Sequence, residues 1–279
     1  MSGSLPGQGF RDLIRPHAGE IVSVERTKRG FSAEFTGLID AEHGRFFVKA
    51  VRNRPGGHRA SLYREWVINP AVQPLSPAIR WTARDDEWIV LGFEAVEARH
   101  ARFEPGSPDL PRITGALKEI AHVTVPDEAR GWAETRWDRF AGGEAEAGLF
   151  RGDTLLHTDI NPSNILVGAR AVWLVDWAWP TLGAAFIDPA ILALQLVAAG
   201  HSAESAESWA AHCPGWTDAD PRAIDAFAVA QLRMYQGLVE RRPDQEWLGA
   251  MVTAAREWLA HRSVPLAPGG SVIRGRTTW

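Results

Sequence analysis

One stretch near the middle of the chain limits the possible folds more than any other. Residues 155–167 read LLHTDINPSNILV, so a histidine, an aspartate and two asparagines lie between two apolar runs. The apolar runs have the composition of buried strands, whereas the polar residues and the proline favour a turn. A solvated surface connector would not need apolar anchors on both sides. The pattern therefore predicts a tight loop fixed between two buried strands.

Two side chains of this loop and one from the next apolar segment bear chemically useful oxygens. Four residues separate Asp159 from Asn164, and Pro162 fixes one backbone angle between them. Either residue alone is equally well explained as a turn residue. Asp176 then interrupts the apolar run WLVDWAW at residues 173–179, where a carboxylate is costly unless it is paired, hydrogen-bonded or bound to a metal. Asn164 and Asp176 offer the hard oxygen ligands that Mg²⁺ takes, which leaves Asp159 to accept a proton from a hydroxyl.

Hydrophobic periodicity divides the chain at about residue 97. Before it, alternating and β-branched runs predict five strands and one inserted helix. The strands are expected at residues 21–26, 32–39, 44–51, 78–85 and 87–96, and the helix at 59–72. Beyond it, apolar residues three and four apart predict helices, with one short strand at 171–179. The helices are expected at residues 110–123, 129–143, 188–200, 202–212, 221–240 and 244–261.

This division predicts an α+β protein with two lobes. Residues 1–97 form a small β-rich lobe that ends in a linker at about 92–97, and residues 98–279 form a larger, mainly α-helical lobe. A cleft between two such lobes is a natural ligand site. Acidic residues outnumber basic ones in the second part, which favours a neutral or cationic ligand there, although a solvated acidic surface explains the excess as well.

Composition excludes several classes of partner. The net charge is −4 and the sequence pI is about 6.1, so no basic field attracts nucleic acid or acidic lipid. The most apolar stretch, residues 186–200, is too short to span a bilayer, and the N-terminal residues have no signal-peptide pattern. Cys213 is the single cysteine, which excludes an intramolecular disulfide and predicts a small buried side chain. We expect a cytoplasmic monomer or homodimer.

The motif at 155–167 followed by VWLVDWAWP resembles the catalytic loop and metal-binding aspartate of the aminoglycoside phosphotransferase family. Its spacing of His, any residue, Asp, four residues and Asn matches the protein-kinase pattern. The resemblance implies a protein-kinase-like two-lobe fold, a nucleoside triphosphate as phosphoryl donor and Mg²⁺ as cofactor. It also implies that Asp159 is the catalytic base, that Asn164 and Asp176 hold the metal, and that His157 braces the loop.

Further family positions follow in the expected order. Lys49 lies within FFVKAV on the third predicted strand, where the family keeps a lysine on the α- and β-phosphates, and Glu65 resembles the glutamate that pairs with it. Each has a plainer explanation, as an exposed strand lysine or a surface helix residue. Asp188, within FIDPA, resembles a buried aspartate that supports the catalytic loop.

The resemblance also indicates how the nucleotide is held. Gly30 and Ser32 lie in the turn after the first strand, similar to the loop that covers the nucleotide in this family, because a backbone N–H or a short hydroxyl can approach phosphate closely. The linker is expected at VLGFEAVE, where backbone groups of Phe93, Glu94 and Ala95 would bind the base. Whether the donor is ATP or GTP stays open.

The catalytic loop departs from the family pattern at three positions. Thr158 replaces the usual glycine, Ile160 removes a polar side chain, and Ser163 replaces a glycine that adopts positive φ easily. These departures bear on the geometry of the loop and leave its oxygen-bearing residues unchanged.

The segment between Asp176 and Asp188 is too short for the activation segment of a protein kinase, so the acceptor is expected to be a small hydroxylated molecule. The favoured acceptor is an antibiotic, aminoglycoside-like or nucleoside-like, which implies a role in resistance or self-resistance. A primary metabolite such as an amino alcohol is the alternative. Two kinds of side chain are candidates for contact with the acceptor. They are the tryptophans Trp177 and Trp179 and the acidic residues Glu204, Glu207, Asp218, Asp220 and Asp225, each of which is equally explained as core or solvated surface.

Other classes of function fit less well. A pseudokinase that binds nucleotide without transfer is possible, but degenerate members usually lose one of the four residues Lys49, Asp159, Asn164 and Asp176, and all are present. A metal-dependent hydrolase would need a further histidine-rich cluster to complete its metal site. A purely structural protein would not need these residue types in this order.

Overall fold

The computed structural model describes residues 4–27 and 33–265. Its chain divides into two compact units. The first contains residues 1–99, 125–129 and 168–180, and the second contains residues 100–124, 130–167 and 181–279. Among the described residues, no helix is long and apolar enough to cross a membrane.

The first unit is built on a five-stranded antiparallel sheet. Its strands are β1 (Ile21–Arg26), β2 (Phe35–Ala41), β3 (Gly44–Arg52), β4 (Ile79–Arg84) and β5 (Trp88–Glu94), in the order β1-β2-β3-β5-β4. The strands confirm the predicted set, with ends that shift by up to three residues. Helix α2 (Gly57–Ile68) follows β3, as predicted, and begins two residues earlier than expected.

A first helix, α1 (Gln8–Ala18), is absent from the prediction. Phe10, Ile14 and Ala18 recur every four residues along it and are fully buried. The ring of Phe10 packs against Phe35 at 5.5 Å and against Trp88 at 5.2 Å between centroids. This four-residue spacing was the signal for an amphipathic helix that covers one face of the sheet.

Side-chain alternation along β3 sends neighbouring residues to opposite faces of the sheet. Phe46, Val48 and Ala50 belong to the core that includes α1. Val51 belongs to a second core with Leu62 of α2. Lys49 therefore shares the face of Val51, towards α2.

The second unit is mainly helical. Its helices are α3 (Leu110–Ile120), α4 (Glu144–Gly148), α5 (Ile187–Ala198), α6 (Ala203–Ala210), α7 (Pro214–Thr217), α8 (Pro221–Arg241) and α9 (Glu246–His261). Short strands complete the chain: β6 (Ala98–His100), β7 (Thr154–Leu156), β8 (Ile165–Gly168), β9 (Val172–Leu174) and β10 (Thr181–Gly183). Strand β7 pairs with β10, and one 3₁₀ turn spans Pro162–Asn164.

Helix α5 forms the centre of this unit. Ten of its twelve residues are buried, and it packs against α6, α8 and α9. Beside it, Phe227 of α8 contacts the rings of Trp137, Phe150 and Phe186 at 4.8 to 5.8 Å between centroids. The apolar stretch predicted as a buried helix is confirmed as one.

The prediction of a helix at residues 129–143 is wrong. Only a 3₁₀ turn at Asp138–Phe140 forms there. Glu134 is fully buried, its N–H donates to Leu182 O at 2.8 Å, and its carboxylate pairs with Arg136 and accepts from Thr181 Oγ1 at 2.5 Å. These tertiary contacts fix an extended backbone and override the helical spacing of the apolar residues.

Candidate active site

A buried lysine of the first unit contacts two carboxylates. Lys49 on β3 is 6% exposed and faces α2, where Glu65 is 4% exposed. Its Nζ lies 3.0 and 2.7 Å from the two carboxylate oxygens of Glu65 and 2.7 Å from Asp176 Oδ1. The structure therefore brings together three of the predicted site residues.

The two carboxylates keep this lysine charged. Burial by itself lowers the pKa of Lys49, but the charges of Glu65 and Asp176 and their hydrogen bonds outweigh burial and raise it above its ordinary value. A cation held between two anions has a fixed position and stays protonated. The Asp176 side chain is 34% exposed, so this end of the cluster is open.

The backbone around Asp176 corrects one expectation. β9 ends at Leu174, so Asp176 does not lie inside a strand. Its φ is +64°, in the left-handed region that a non-glycine residue rarely adopts. Trp177 anchors this turn because its ring is 1% exposed and its Nε1 donates to Leu174 O at 3.0 Å.

The two tryptophans beside Asp176 differ in their surroundings. Burial of Trp177 makes it a core residue and removes it as a surface for a ligand. Trp179 is 43% exposed, and the Arg64 guanidinium lies 5.0 Å from the centroid of its ring.

In the second unit, Asp188 fixes the start of the loop at residues 157–164. Its carboxylate, 4% exposed at the first turn of α5, accepts the backbone N–H of His157 at 2.7 Å and of Thr158 at 2.8 Å. Burial raises the pKa of the Asp188 carboxyl, while the His157 imidazole, the two N–H donors and Arg136 oppose that shift. His157 is 2% exposed, and its Nδ1 accepts the N–H of Asp159 at 3.3 Å.

The departures from the family pattern have different structural consequences. Thr158 has φ +68°, so a β-branched residue occupies a conformation that suits glycine. Its Oγ1 donates to His157 O at 2.5 Å, and its N–H is the one held by Asp188. Ser163 lies within the 3₁₀ turn Pro162–Asn164 and needs no positive φ, while Ile160 is 1% exposed and anchors the loop in the core.

Asp159 is exposed at the surface of this loop, and an amide fixes its position. Asn164 Nδ2 donates to Asp159 Oδ2 at 2.7 Å and to Asp159 O at 3.0 Å. Because Nδ2 is turned towards Asp159, the Oδ1 atom of Asn164 accepts no hydrogen bond from any residue that the structure describes.

Two side chains, one in each unit, keep oxygens of the kind that a hard divalent cation binds. Asn164 offers an unused amide oxygen, and Asp176 offers a partly exposed carboxylate. Within residues 4–27 and 33–265 there is no group of three or more His, Cys, Asp or Glu side chains arranged to hold a metal ion. Asn164 belongs to the second unit and Asp176 to the first, so their joint role in binding Mg²⁺ stays a prediction.

Sequence reasoning missed two features near the loop at residues 157–164. Arg136 contributes to the electrostatics of Asp188, and it is held by the buried Glu134. Tyr235 of α8 is 9% exposed; burial first, and then the charge of Asp159, raise the pKa of its phenol above the ordinary value. Its ring packs against Trp247 at 6.4 Å between centroids. The interactions of Arg136 with Asp188 and of Tyr235 with Asp159 join distant parts of the sequence, so no local pattern indicates them.

The remaining residues that the sequence predicted to bind a nucleotide are placed as follows. Phe93 is 5% exposed within β5, paired with Phe47 on one side and Ile79 on the other. Glu94 ends the strand, forms an ion pair with Arg80, and accepts Ala78 N–H at 3.2 Å, whereas Ala95 lies beyond the strand. Gly30 and Ser32 lie outside the described residues.

Most acidic candidates for acceptor contact are engaged within the protein. Arg262 donates to Glu207 Oε1 at 2.6 Å and to Asp225 Oδ1 at 2.5 Å, and Trp258 Nε1 also donates to Glu207 at 2.7 Å. Asp220 caps α8 and pairs with Arg222 at 2.6 Å, and Asp218 Oδ1 accepts the Thr217 hydroxyl at 3.4 Å. Glu204 lies in the first turn of α6.

No protein-family model and no curated protein matches the sequence. Solved structures do match. The choline kinase LicA from Streptococcus pneumoniae has a TM-score of 0.61 and 14% identity, covering 90% of this chain and 97% of its own. A thermostable mutant of the aminoglycoside phosphotransferase APH(4)-Ia has a TM-score of 0.56 and 14% identity, and the match covers 88% of this chain and 98% of that one. The microcompartment-associated aminopropanol kinase has a TM-score of 0.56 and 16% identity, and the match covers 91% of this chain and 96% of that one.

The matches extend over nearly the whole of each chain and confirm the predicted α+β, protein-kinase-like fold. The chain has the fold shared by an aminoglycoside phosphotransferase, a choline kinase and an aminopropanol kinase, as its catalytic-loop motif implied.

Proposed function

We propose that this protein is a phosphotransferase that moves the γ-phosphoryl group of ATP or GTP onto a hydroxyl of a small molecule. The observation that carries the proposal is the contact of buried Lys49 with Glu65 and Asp176. Burying these charges costs free energy that the attraction between them only partly returns, so stability alone is a weak reason for such a cluster. Because the three charges sum to −1, the cluster suits a nucleotide phosphate together with a divalent cation, which the partly exposed Asp176 carboxylate would help to hold.

Each of the site residues has a role in this proposal. Lys49 binds the α- and β-phosphates, and Glu65 holds its amine in place. Residues 1–97 carry most of the nucleotide contacts, with the backbone at Phe93, Glu94 and Ala95 reading the base and Gly30 and Ser32 covering the phosphates. Residues 98–279 carry the catalytic loop and the acceptor. Magnesium, when held by Asn164 and Asp176, would offset charge on the phosphate oxygens.

Asp159 performs the proton chemistry. Its exposed carboxylate orients the acceptor hydroxyl, whose oxygen attacks the γ-phosphorus in line with the leaving oxygen. The new oxygen–phosphorus bond forms as the bond to the bridging oxygen breaks, ADP or GDP leaves, and Asp159 accepts the hydroxyl proton. Positioning and electrostatics supply most of the rate acceleration in such transfers. His157 and Asp188 hold the loop in shape.

The acceptor is proposed to be an antibiotic or an amino alcohol. Structures of the same fold include an aminoglycoside phosphotransferase, a macrolide 2′-phosphotransferase, a choline kinase and an aminopropanol kinase. The engagement of Glu207, Asp220 and Asp225 in internal ion pairs weakens the case for an aminoglycoside with many ammonium groups. Trp247, which is exposed and packs against the buried Tyr235, offers aromatic surface in the second unit, and this is compatible with a smaller cation or an apolar acceptor.

The deciding experiment measures ADP and GDP release with magnesium against aminoglycosides, a macrolide, nucleoside antibiotics, choline and aminopropanol. We expect the active pair to lose turnover by at least about 100-fold in Asp159→Asn, with nucleotide affinity within about threefold of wild type. Asp153→Asn is the matched control, because Asp153 is an exposed aspartate just before β7. Unchanged turnover in Asp159→Asn would remove Asp159 from its role. Nucleotide binding without release above background for any acceptor would favour the pseudokinase.

A further inference from the structure

The catalytic loop contains a second asparagine with an arrangement that the family motif does not assign. Asn161 Nδ2 donates to Asp159 Oδ1 at 2.9 Å and to Asp159 O at 3.1 Å. Its Oδ1 accepts the backbone N–H of Ser163 at 2.9 Å, which caps the 3₁₀ turn Pro162–Asn164. The amide of Asn161 thus links the Asp159 carboxylate to the backbone of Asp159 and of Ser163.

Asn161 and Asn164 hold Asp159 in the same way from two sides. Asn164 Nδ2 contacts Oδ2 and the main-chain oxygen of Asp159, and Asn161 Nδ2 contacts Oδ1 and the same main-chain oxygen. Each carboxylate oxygen therefore has one amide donor. Rotation of the carboxylate about its terminal bond would break both contacts.

This matters because Asp159 is exposed. An exposed aspartate ordinarily samples several rotamers, and its terminal torsion is broad. Two amide donors select one orientation, while a carboxylate has about four acceptor positions, so each oxygen keeps capacity for a further donor such as a hydroxyl. The loop therefore fixes the orientation of the Asp159 carboxylate and leaves both of its oxygens able to accept a further hydrogen bond.

We propose that Asn161 is a positioning residue for the transfer reaction, which aligns the Asp159 carboxylate by holding Oδ1 while Asn164 holds Oδ2. This inference rests on the proposed function. Asn161 acts through Asp159 and not on the acceptor, so its loss lowers kcat with little effect on the KM for nucleotide. A displacement of about 1 Å at a reacting group is enough to reduce turnover about 100-fold.

Capping and positioning can be separated at this residue, because they use different atoms of the amide. Asn161→Ser and Asn161→Asp keep an oxygen that caps Ser163 N–H but remove the Nδ2 donor. Asn161→Ala removes both functions. We expect the Ser variant to unfold at the wild-type urea concentration and the Ala variant at a lower one. The Asp variant sets a second carboxylate against Asp159 and should also unfold at a lower one.

The kinetic readout is release of ADP or GDP from the magnesium nucleotide, with the panel acceptor that gives turnover, or water where none does. We expect about 10- to 100-fold lower kcat in Asn161→Ser and Asn161→Asp, with the KM for nucleotide within about threefold of wild type. Wild-type kcat in either variant would overturn the inference and reduce Asn161 to a turn cap.

A crystal structure of Asn161→Ser gives a readout that needs no turnover. We expect the Asp159 carboxylate in more than one orientation, or rotated from its wild-type position; a single wild-type orientation would overturn the inference. If wild-type turnover is absent or does not depend on Asp159, that result contradicts the proposed function but not the inference about Asn161. The crystallographic comparison then still decides whether Asn161 holds the carboxylate.

Discussion

Lys49 Nζ lies 2.7 Å from Asp176 Oδ1, and the same amine contacts both carboxylate oxygens of Glu65. The lysine and Glu65 are almost fully buried, so neither charge is screened by water. A substitution that removes one of these two charges therefore leaves the other buried without its partner.

We expect Lys49→Met to abolish measurable turnover and to lower the free energy of unfolding by about 3–5 kcal/mol, because it leaves the buried Glu65 carboxylate without a partner. The double variant Lys49→Met with Glu65→Leu should recover much of that loss in urea unfolding but none of the turnover. Equal stability of the single and double variants would show that the pair is not energetically coupled.

The loop support at Asp188 gives a second prediction. Asp188→Ala removes the acceptor of two buried backbone N–H groups, those of His157 and Thr158. Each unsatisfied group costs about 1–3 kcal/mol, so urea unfolding should show a loss of about 2–6 kcal/mol, together with loss of turnover. Asp188→Asn keeps one acceptor oxygen and should lose less. The exposed control Asp153→Ala should change stability by less than about 0.5 kcal/mol.

Sequence reasoning predicted the strands of the first unit and most helices of the second, because these segments have strong periodicity and their own turn residues. It failed at residues 129–143, where Glu134 is fixed by contacts with Thr181 and Leu182, which lie outside the local pattern. It also missed α1, although Phe10, Ile14 and Ala18 carried the four-residue spacing.

For the candidate site, spacing within one loop indicated the polar residues but not their hydrogen bonds. The contact of Lys49 with Glu65 follows from strand alternation and the helix after β3, so it was predictable in kind. Asn161 looked like a turn residue because its contact with Asp159 depends on the direction of one side chain. Tyr235 lies far along the chain from Asp159, and only the packing of α8 brings its phenol within reach of that charge.

The left-handed backbone at Thr158 provides a third prediction, which tests strain. Thr158 has φ +68°, and this conformation costs a residue with a Cβ about 1–2 kcal/mol. Gly is ordinarily less stable than Ala by about 0.5–1 kcal/mol. At this position the order should reverse, so that Thr158→Gly is at least as stable as Thr158→Ala in urea unfolding. Both variants lose the same hydroxyl, which makes Ala the matched control. A Gly variant clearly less stable than Ala would show that no strain is stored here.

Cys213 gives a fourth prediction, based on pH. The thiol is 3% exposed, and burial raises its pKa to about 11, from an ordinary value of 9.0; Lys118 lowers it slightly and Asp188 adds to the rise. The thiolate is the reactive form. At pH 8 the native protein should therefore resist a disulfide reagent such as 5,5′-dithiobis(2-nitrobenzoate), while urea-unfolded protein should release one equivalent of the coloured thiolate at once.

The same shift predicts a change in stability at high pH. Between pH 9 and 11 the unfolded chain loses the thiol proton while the folded chain keeps it, so the thiol's contribution to folding free energy falls as pH rises. A shift of this size corresponds to about 2–3 kcal/mol at most. Cys213→Ala cannot titrate there, and other alkaline groups are common to both proteins. The stability of wild type relative to Cys213→Ala should therefore decline over this pH range, and a constant difference would contradict the burial of the thiol.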